Sequence, residues 1–224
     1  MPTLFSYCIP VDDGAAPNPF WGICTLVICK PKIRSRANKG DWIVGTGSVK
    51  SPIGDVSGRI VYAMKVTQKM TMKEYDAFTA HNLAQKVPDW QNWDIRRRLG
   101  DSIYDFSKEP PEQRKSVHNR GNTKTDLNGH FALLSEHFFY FGDQPVPLSP
   151  DLMPIVKQGQ GHRSTSNAPY FDTFVRWIHN LGFEENTVLG RPQIDLFSDE
   201  CLVTECANAC RVEGEEDLRS ENSD

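Results

Sequence analysis

The sequence lacks long apolar runs and any segment with the features of a secretory signal. No stretch of its 224 residues approaches the roughly 18 consecutive apolar residues that a membrane-spanning helix needs. Residues 1–4 show neither the basic region nor the apolar core of a signal peptide. With 38% apolar and 24% charged residues, the composition is that of an ordinary globular domain. We therefore expect a soluble, cytoplasmic protein with no membrane partner.

The signatures of the common nucleotide and hydrolase sites are also missing. The glycines follow neither the G-x-x-x-x-G-K-[ST] spacing of a phosphate-binding loop nor the G-x-G-x-x-G of a dinucleotide fold. The chain has no G-x-S-x-G elbow and no H-E-x-x-H zinc motif. Walker-type hydrolysis and Rossmann cofactor binding are therefore unsupported, and a hydrolase rests on nothing specific. We predict no cofactor and no metal site.

The six cysteines show no paired C-x-x-C spacing. In a chain without a secretory signal we expect them to be reduced thiols that pack as small hydrophobic residues. The candidate nucleophiles are Cys8, Cys24 and Cys29, with five histidines as possible bases: His81, His118, His130, His137 and His162. Lys30 could lower the pKa of Cys29, but the pattern places Cys29 on a buried strand, which favours an inert thiol.

The net charge of −4 is concentrated in residues 213–224, which hold six acidic residues and one arginine. The rest of the chain has 24 basic and 23 acidic residues. Because the tail is acidic and poor in apolar residues, we predict one domain over residues 1–212 and an acidic disordered tail over residues 213–224. The other basic residues form clusters at residues 30–39 and 96–98, each of which is either an anion-contacting surface or an ordinary solvated one.

Hydrophobic periodicity predicts short strands and a few helices. Strands are expected over residues 22–30, 41–45, 59–69 and 131–141, the last with a break at residues 135–136. Helices are expected from Pro31, from a T-x-x-E capping box of Thr71 and Glu74, and over residues 166–181. Residues 87–129 show no sustained period. Strands and helices do not alternate regularly, so we predict an α+β fold with a curved or barrel-like, mostly antiparallel sheet, flanking helices and a long irregular insertion.

The most unusual stretch is the loop of residues 12–21, where prolines, a glycine and an asparagine precede two large aromatic residues. Such a loop can present a stacking surface with amide and carboxylate groups, as base recognition requires, or it can be a structural turn. The candidate residues for a base are Asn18, Phe20 and Trp21. The candidates for phosphate are Lys30, Lys32, Arg34, Arg36 and Arg163, and the candidate general bases are Asp13 and His162.

Six runs of sequence, taken together, resemble one protein family. In order between Tyr7 and Leu181 they are APNPFWGICTLVICKPKIR, GDWIVGTGS, IVYAMKVTQKMTMKEY, GDSIYDF, HFFYFG and GHR. The chain resembles the family called nucleotide modification associated domain 2, found in bacteria and their viruses or mobile elements. The resemblance implies a link to systems that hypermodify or restrict DNA bases, and it carries no established catalytic residues.

The layout of the strands is also similar to the PUA-like barrels, including the ASCH and EVE domains, whose pockets bind modified bases or RNA. In such barrels the ligand lies between the sheet and its loops. The similarity implies that Trp42 and Ser48 join Phe20 and Trp21 near one mouth as base-binding residues. Residues 87–129 depart from a minimal barrel.

The leading hypothesis is a nucleotide- or nucleic-acid-directed domain that binds a base, modified in particular, in an aromatic pocket. Asn18 and Asp13 would contact the polar edge of the base, and the basic cluster would contact phosphate. One alternative is an enzyme that modifies a base or a nucleotide precursor, with Asp13 or His162 as general base. Another is a protein-interaction component of a modification or phage-defence operon. The expected partners are DNA or a nucleotide, and a protein of such a system.

Overall fold

The computed structural model describes residues 1–219, which form twelve short strands and six α-helices. The strands are β1 (Leu4–Cys8), β2 (Cys24–Leu26), β3 (Trp42–Thr46), β4 (Arg59–Lys65), β5 (Gln68–Thr71), β6 (Tyr104–Asp105), β7 (Glu112–Gln113), β8 (Phe131–Ser135), β9 (Phe138–Tyr140), β10 (Val146–Pro147), β11 (His162–Arg163) and β12 (Thr187–Val188). The helices are α1 (Pro31–Arg36), α2 (Met72–Asn82), α3 (Ile95–Arg98), α4 (Thr123–Asn128), α5 (Phe171–Asn180) and α6 (Glu200–Arg219).

The strands are arranged in three sheets. The largest has the order β11-β1-β3-β4-β9-β12, with β10 on β4; its β1–β3 and β9–β12 pairs are parallel and the others antiparallel. A second, antiparallel sheet has the order β2-β8-β5, and β6 pairs with β7. The expected α+β class is confirmed. The described strands close into no barrel, so the barrel-like, PUA-like form is not confirmed.

The two larger sheets are joined by two segments of the chain that each pass from one sheet to the other. β4 runs on into β5, and β8 runs on into β9, across short breaks. Between the sheets the N–H of Lys65 donates to the carbonyl of His137 at 2.9 Å, and the N–H of Thr67 donates to the carbonyl of Leu134 at 2.9 Å. The predicted break at residues 135–136 therefore falls where the chain changes sheets, and the predicted strand over residues 59–69 is divided for the same reason.

Apolar residues fill three layers around these sheets. The layer between the two sheets contains Phe5, Leu26, Met64, Leu133 and Phe138. α5 covers the other face of the large sheet through Phe174 and Ile178, as its spacing predicts. α2 and residues 99–117 pack on the outer face of the small sheet. Both sheets are thus buried on two sides, which explains why several strands are apolar on both faces.

The local signals at helix ends are confirmed. Thr71 and Glu74 form the predicted capping box of α2, and Pro31 occupies the first turn of α1. The strand predicted over residues 22–30 holds only for β2, because Cys29 (φ 58°) and Lys30 (φ 38°) turn the backbone into the left-handed region before α1. None of the described helices is long and apolar enough to cross a membrane.

The C-terminal region differs from its predicted description. α6, for which the sequence analysis predicted no helix, continues to Arg219, so the predicted tail of residues 213–224 begins inside a helix. Residues 220–224 lie outside the described part. Cys210 of α6 forms a disulfide with Cys29, which corrects the expectation of reduced thiols throughout. Four other cysteines are free: Cys8, Cys24, Cys201 and Cys206.

The buried carboxyl of Asp12 predicts a pH dependence of stability. It is 1% exposed and accepts a hydrogen bond from the Tyr140 hydroxyl at 2.6 Å. Burial, opposed by that hydrogen bond, raises the pKa of Asp12 to about 7. The folded state therefore holds this proton more tightly than the unfolded state, and stability is lost as the pH rises through 7.

Asp12→Asn should remove this loss because the amide mimics the protonated acid. We expect the advantage of the variant in free energy of unfolding to grow by about 2–3 kcal/mol between pH 4.5 and pH 8. Urea unfolding at the two pH values measures it. The exposed Asp55 serves as a control, since hydrogen bonds from Ser57 lower its pKa, and Asp55→Asn should show no such growth. An advantage of Asp12→Asn that is equal at both pH values would contradict the assignment.

Candidate functional site

A cavity of about 1140 Å³ lies against the loop of residues 12–21. Phe20 and Trp21 form its aromatic wall. Its charged groups come from four separate parts of the chain: Asp13 of the loop, Arg96 of α3, Asp143 from the segment after β9, and Arg191 and Asp195 from the segment after β12. The fold therefore brings a flat apolar surface and several charged groups into one space, which we call the aromatic cavity.

Asn18 holds the loop in shape from the inside. It is fully buried, and its amide donates to the carbonyl of Leu99 at 2.8 Å while its side-chain oxygen accepts from the Lys86 ammonium at 2.7 Å. Backbone hydrogen bonds also join Asn18 to Thr25 of β2 in both directions. Asn18 thus positions the aromatic residues that follow it. Its amide is occupied and a ligand in the cavity cannot reach it.

Left-handed residues turn the loop toward the cavity. Trp21 and Gly22 have φ values of 70° and 78°. Gly14, with φ 78°, packs against Pro192 so closely that a Cβ at Gly14 would lie 2.6 Å from the ring of Pro192. Since Pro192 also lines the cavity, this glycine allows the segment after β12 to pack directly on the loop.

Trp21 provides the largest aromatic surface of the site. The guanidinium of Arg96 lies 4.8 Å from the centre of its ring, at a distance typical of a cation–π contact. Arg96 is held there by hydrogen bonds to both carboxylate oxygens of Asp94. The indole N–H of Trp21 is buried and has no hydrogen-bond partner within the described residues. Trp21 is therefore flanked by a positive charge at the wall of the cavity.

Two of the three carboxylates, Asp13 and Asp143, supply hydrogen-bond acceptors near the loop and the segment after β12. An oxygen of Asp13 accepts from the N–H of Ala15 at 2.9 Å, and burial raises the pKa of Asp13 above its ordinary value. An oxygen of Asp143 accepts from the backbone N–H of Arg191 at 2.9 Å. Each carboxylate has a second oxygen, and these can accept hydrogen bonds from amino groups on the edge of a base.

The basic cluster of residues 30–39 does not form one phosphate-binding surface. Lys30 makes an ion pair with Glu213 at 3.0 Å. Arg34 is fully buried and donates to main-chain carbonyls, so a phosphate cannot reach it. Lys32 is half-buried, and the exposed Arg36 lines a separate groove near the N-terminus.

The remaining candidates lie away from the aromatic cavity. Trp42 is 1% exposed and packs edge-on against Phe174, with ring centres 5.7 Å apart, so it is a core residue. His162 is fully buried on β11. Ser48 and Arg163 line a different cavity of about 850 Å³. The single mouth implied by the PUA-like similarity is therefore not formed by these residues.

Most of the polar wall of the aromatic cavity was not predicted from the sequence. Arg96 belongs to the basic cluster of residues 96–98, which was visible in the sequence but had no assigned place. Asp143 and Arg191 carry no local signal. They reach the site only because β12 pairs with β9 and the backbone N–H groups of Asp143 and Arg191 bond across the two segments.

Comparison with known protein families shows to which family the chain belongs. The family model described as nucleotide modification associated domain 2 matches residues 1–211. The chain belongs to this family. The match confirms the resemblance seen in the sequence and links the chain to nucleotide modification through the description of the family. Searches of curated proteins and of solved structures found no match. The nucleotide modification associated domain 2 therefore includes the aromatic loop, both cysteines of the disulfide and most of α6.

Proposed function

We propose that this nucleotide modification associated domain binds the base of a nucleotide, free or presented by DNA, in the aromatic cavity. The observation that supports the proposal is the presence, in one cavity, of Trp21, three carboxylates and two guanidinium groups. A base stacks on an aromatic ring and exposes donors and acceptors on its edge, while its phosphate requires a cation. The wall of the cavity supplies a group for each of these needs.

The size of the cavity leaves room for a modified base. Ligand cavities commonly measure about 300–1000 Å³, and this one is about 1140 Å³. A base that carries an added group would therefore fit. Membership of the family supports a link to nucleotide modification. We propose that the binding serves the modification of DNA bases or defence against phages, in the bacterial cytoplasm and together with other proteins of such a system.

Stacking on Trp21 is tested by replacing the indole. Trp21→Leu should weaken binding of a nucleotide roughly 10- to 100-fold, since stacking of one base on an aromatic side chain contributes about 1–3 kcal/mol. Isothermal titration at low salt with the four deoxynucleoside monophosphates, the matching nucleosides and a single-stranded oligonucleotide distinguishes free nucleotide from polymer. Trp93→Leu is the matched control, because Trp93 is 88% exposed and lies outside the cavity wall.

Arg191→Gln measures, in the same titrations, how much the contact with the phosphate contributes to the binding affinity. We expect a weaker affinity for the monophosphate and an unchanged affinity for the nucleoside. Arg36→Gln, at the separate groove, should change neither. If no nucleotide and no DNA binds the native protein at low salt, the proposal is wrong.

A base-modifying enzyme is the second candidate function. It is favoured by Asp13, whose carboxyl lines the cavity and whose pKa is raised by burial, as in a general base. If a nucleotide is converted, Asp13→Asn should lower its turnover by a much larger factor than it weakens its binding. Binding without turnover in the native protein would favour the first proposal.

A further inference from the structure

Cys29, His118 and Asp126 form a line of three interacting side chains outside the aromatic cavity. The sulfur of Cys29 lies 3.6 Å from Nε2 of His118, and Nδ1 of His118 lies 2.7 Å from a carboxylate oxygen of Asp126. The three residues come from the turn before α1, the irregular segment before α4, and α4 itself. A thiol, an imidazole and a carboxylate in this order are the parts of an activated cysteine nucleophile.

Asp126 is held so that it can orient the imidazole. The Tyr104 hydroxyl donates to the oxygen that faces His118, at 3.0 Å, and the backbone N–H of Cys29 donates to the other oxygen at 3.2 Å. Burial raises the pKa of Asp126, but His118 and Arg34 together lower it below its ordinary value. The carboxylate therefore accepts a hydrogen bond from Nδ1–H of His118, which leaves Nε2 as the nitrogen that can take a proton from Cys29.

The backbone at Cys29 is unusual for a residue that only packs in a core. Cys29 and Lys30 both have positive φ values, 58° and 38°, which side chains other than glycine adopt at a cost. This turn directs the sulfur into a cavity of about 100 Å³ that His118 also lines. The other charged groups of this cavity are Asp13, Lys30 and Glu213.

α6 covers this small cavity. Cys210 of the helix is bonded to Cys29, and Glu213, one turn further on, pairs with Lys30. One turn before Cys210, the amide of Asn122 donates to the carbonyl of Ala207 at 2.7 Å, and Ala207 lines the same cavity. Cys29, His118 and Asp126 are therefore covered by one helix. The disulfide that holds this helix in place is formed by the sulfur of Cys29 itself.

We propose that Cys29 is a catalytic nucleophile for a substrate with an electrophilic acyl or amide carbon, and that its disulfide with Cys210 keeps the site closed. His118 is the general base, and Asp126 is a positioning residue. This proposal is independent of nucleotide binding in the aromatic cavity.

The chemistry requires a reductant and water only. A dithiol of the thioredoxin class attacks the sulfur of Cys210 and releases the Cys29 thiolate, which takes up the proton lost by the attacking thiol. The second thiol of the reductant then displaces Cys210, which takes up the second proton, so the reductant becomes a disulfide and the protein gains two thiols. His118 then takes the thiol proton as the Cys29 sulfur bonds to the acyl carbon. The proton passes to the leaving group as its bond breaks. Water, deprotonated by His118, then attacks the thioester carbon; the bond from that carbon to the Cys29 sulfur breaks, the acid is released, and the proton on His118 returns to the sulfur.

The test is alkylation of the full-length protein by iodoacetamide, with each cysteine followed by peptide mass spectrometry. In Cys210→Ser the Cys29 thiol is free, and at pH 6.5 we expect it to react at least about tenfold faster than the exposed Cys201 of the same molecule. His118→Gln in the same background should remove this excess. Cys24, which is fully buried, should stay unreacted in every variant and thereby reports that the fold is intact.

The native protein tests the closure. Its Cys29 should be blocked before treatment with dithiothreitol and reactive afterwards. Cys206→Ser is the matched control, since Cys206 also belongs to α6 but is free, and Cys29 should remain blocked in this variant.

Three results would overturn the proposal. The first is a Cys29 that reacts no faster than Cys201, both in Cys210→Ser and in a second variant that also carries Glu213→Gln to loosen α6. The second is a Cys29 of the native protein that is alkylated without reductant. The third is a zinc ion that the native protein retains and Cys210→Ser loses, because the sulfur atoms and imidazole would then be metal ligands.

Discussion

Lys86→Met is expected to lower the free energy of unfolding by about 3–5 kcal/mol, the usual cost of removing one partner from a buried charged pair. Lys86 is fully buried, and its ammonium donates to both oxygens of Asn18 and to the Thr25 hydroxyl at 2.7–2.8 Å. The same Thr25 hydroxyl donates to the fully buried Asp101, which also accepts from Tyr75 at 2.6 Å. Without Lys86, the negative charge of Asp101 has no buried positive charge to balance it.

The pH adds a second signature to this prediction. Burial lowers the pKa of Lys86 to about 8, while the unfolded state keeps the ordinary, higher value. The unfolded state therefore binds more protons between pH 8 and the ordinary value, so this residue adds stability as the pH rises above 8. The native protein should show that gain, and Lys86→Met should not.

Urea unfolding followed by circular dichroism measures both effects. Lys73→Met on the exposed surface of α2 is the control and should change stability by no more than about 0.5 kcal/mol. The double variant Lys86→Met with Asp101→Asn should recover part of the loss, because both charges are then absent. Equal midpoints for Lys86→Met and the native protein would show that the ammonium contributes nothing. Because Lys86 also holds Asn18, the variant should disturb the wall of the aromatic cavity.

Arg34→Ala is expected to destabilise the protein by about 3–5 kcal/mol, because it removes a buried charge, its hydrogen bonds and the volume of its side chain. The guanidinium of Arg34 donates to the carbonyl oxygens of Cys29, Asp126 and Phe131. Gly129 packs directly on it, since a Cβ at that position would overlap the guanidinium. Arg34 therefore joins α1, α4 and β8, and it fixes the carbonyl of Cys29 and the main chain of Asp126.

Arg36→Ala is the matched control, because Arg36 lies two residues further along α1 and is exposed. We expect a change of no more than about 0.5 kcal/mol. Thermal or urea unfolding of the two variants compares a buried and an exposed arginine of one helix. If Arg34→Ala were as stable as Arg36→Ala but bound DNA with a weaker salt dependence, Arg34 would be a phosphate contact and its buried placement would be wrong.

Features that depend on neighbouring residues are visible in the sequence. The capping box of Thr71 and Glu74 satisfies free amides within one turn, and Pro31 suits a helix start because its ring fixes φ. Alternation identified β4, and the polar break at residues 135–136 identified the passage between β8 and β9. The loop of residues 12–21 was also recognised, since prolines, glycine and adjacent aromatic residues are unusual together.

Features that depend on distant partners are not visible there. Asn18 is of a residue type that often binds ligands, but its side-chain oxygen accepts a hydrogen bond from Lys86, 68 positions away. Cys29 was placed on a strand, yet two left-handed residues and a cysteine 181 positions away give it a different role. Trp42 was assigned to a ligand, and the helix α5 covers it instead.

The sequence by itself determined the α+β class, the main helix starts, the aromatic loop and the family. Only the tertiary structure decided which basic and aromatic side chains reach a cavity, because burial and hydrogen-bond partners are set by chain segments that are far apart. Arg34 and Arg36 show the difference: both are basic residues of the same short helix, but one is enclosed by main-chain carbonyls and the other is in solvent. A local pattern records the charge of such a residue, and only packing determines whether that charge stabilises the fold or is available to a ligand.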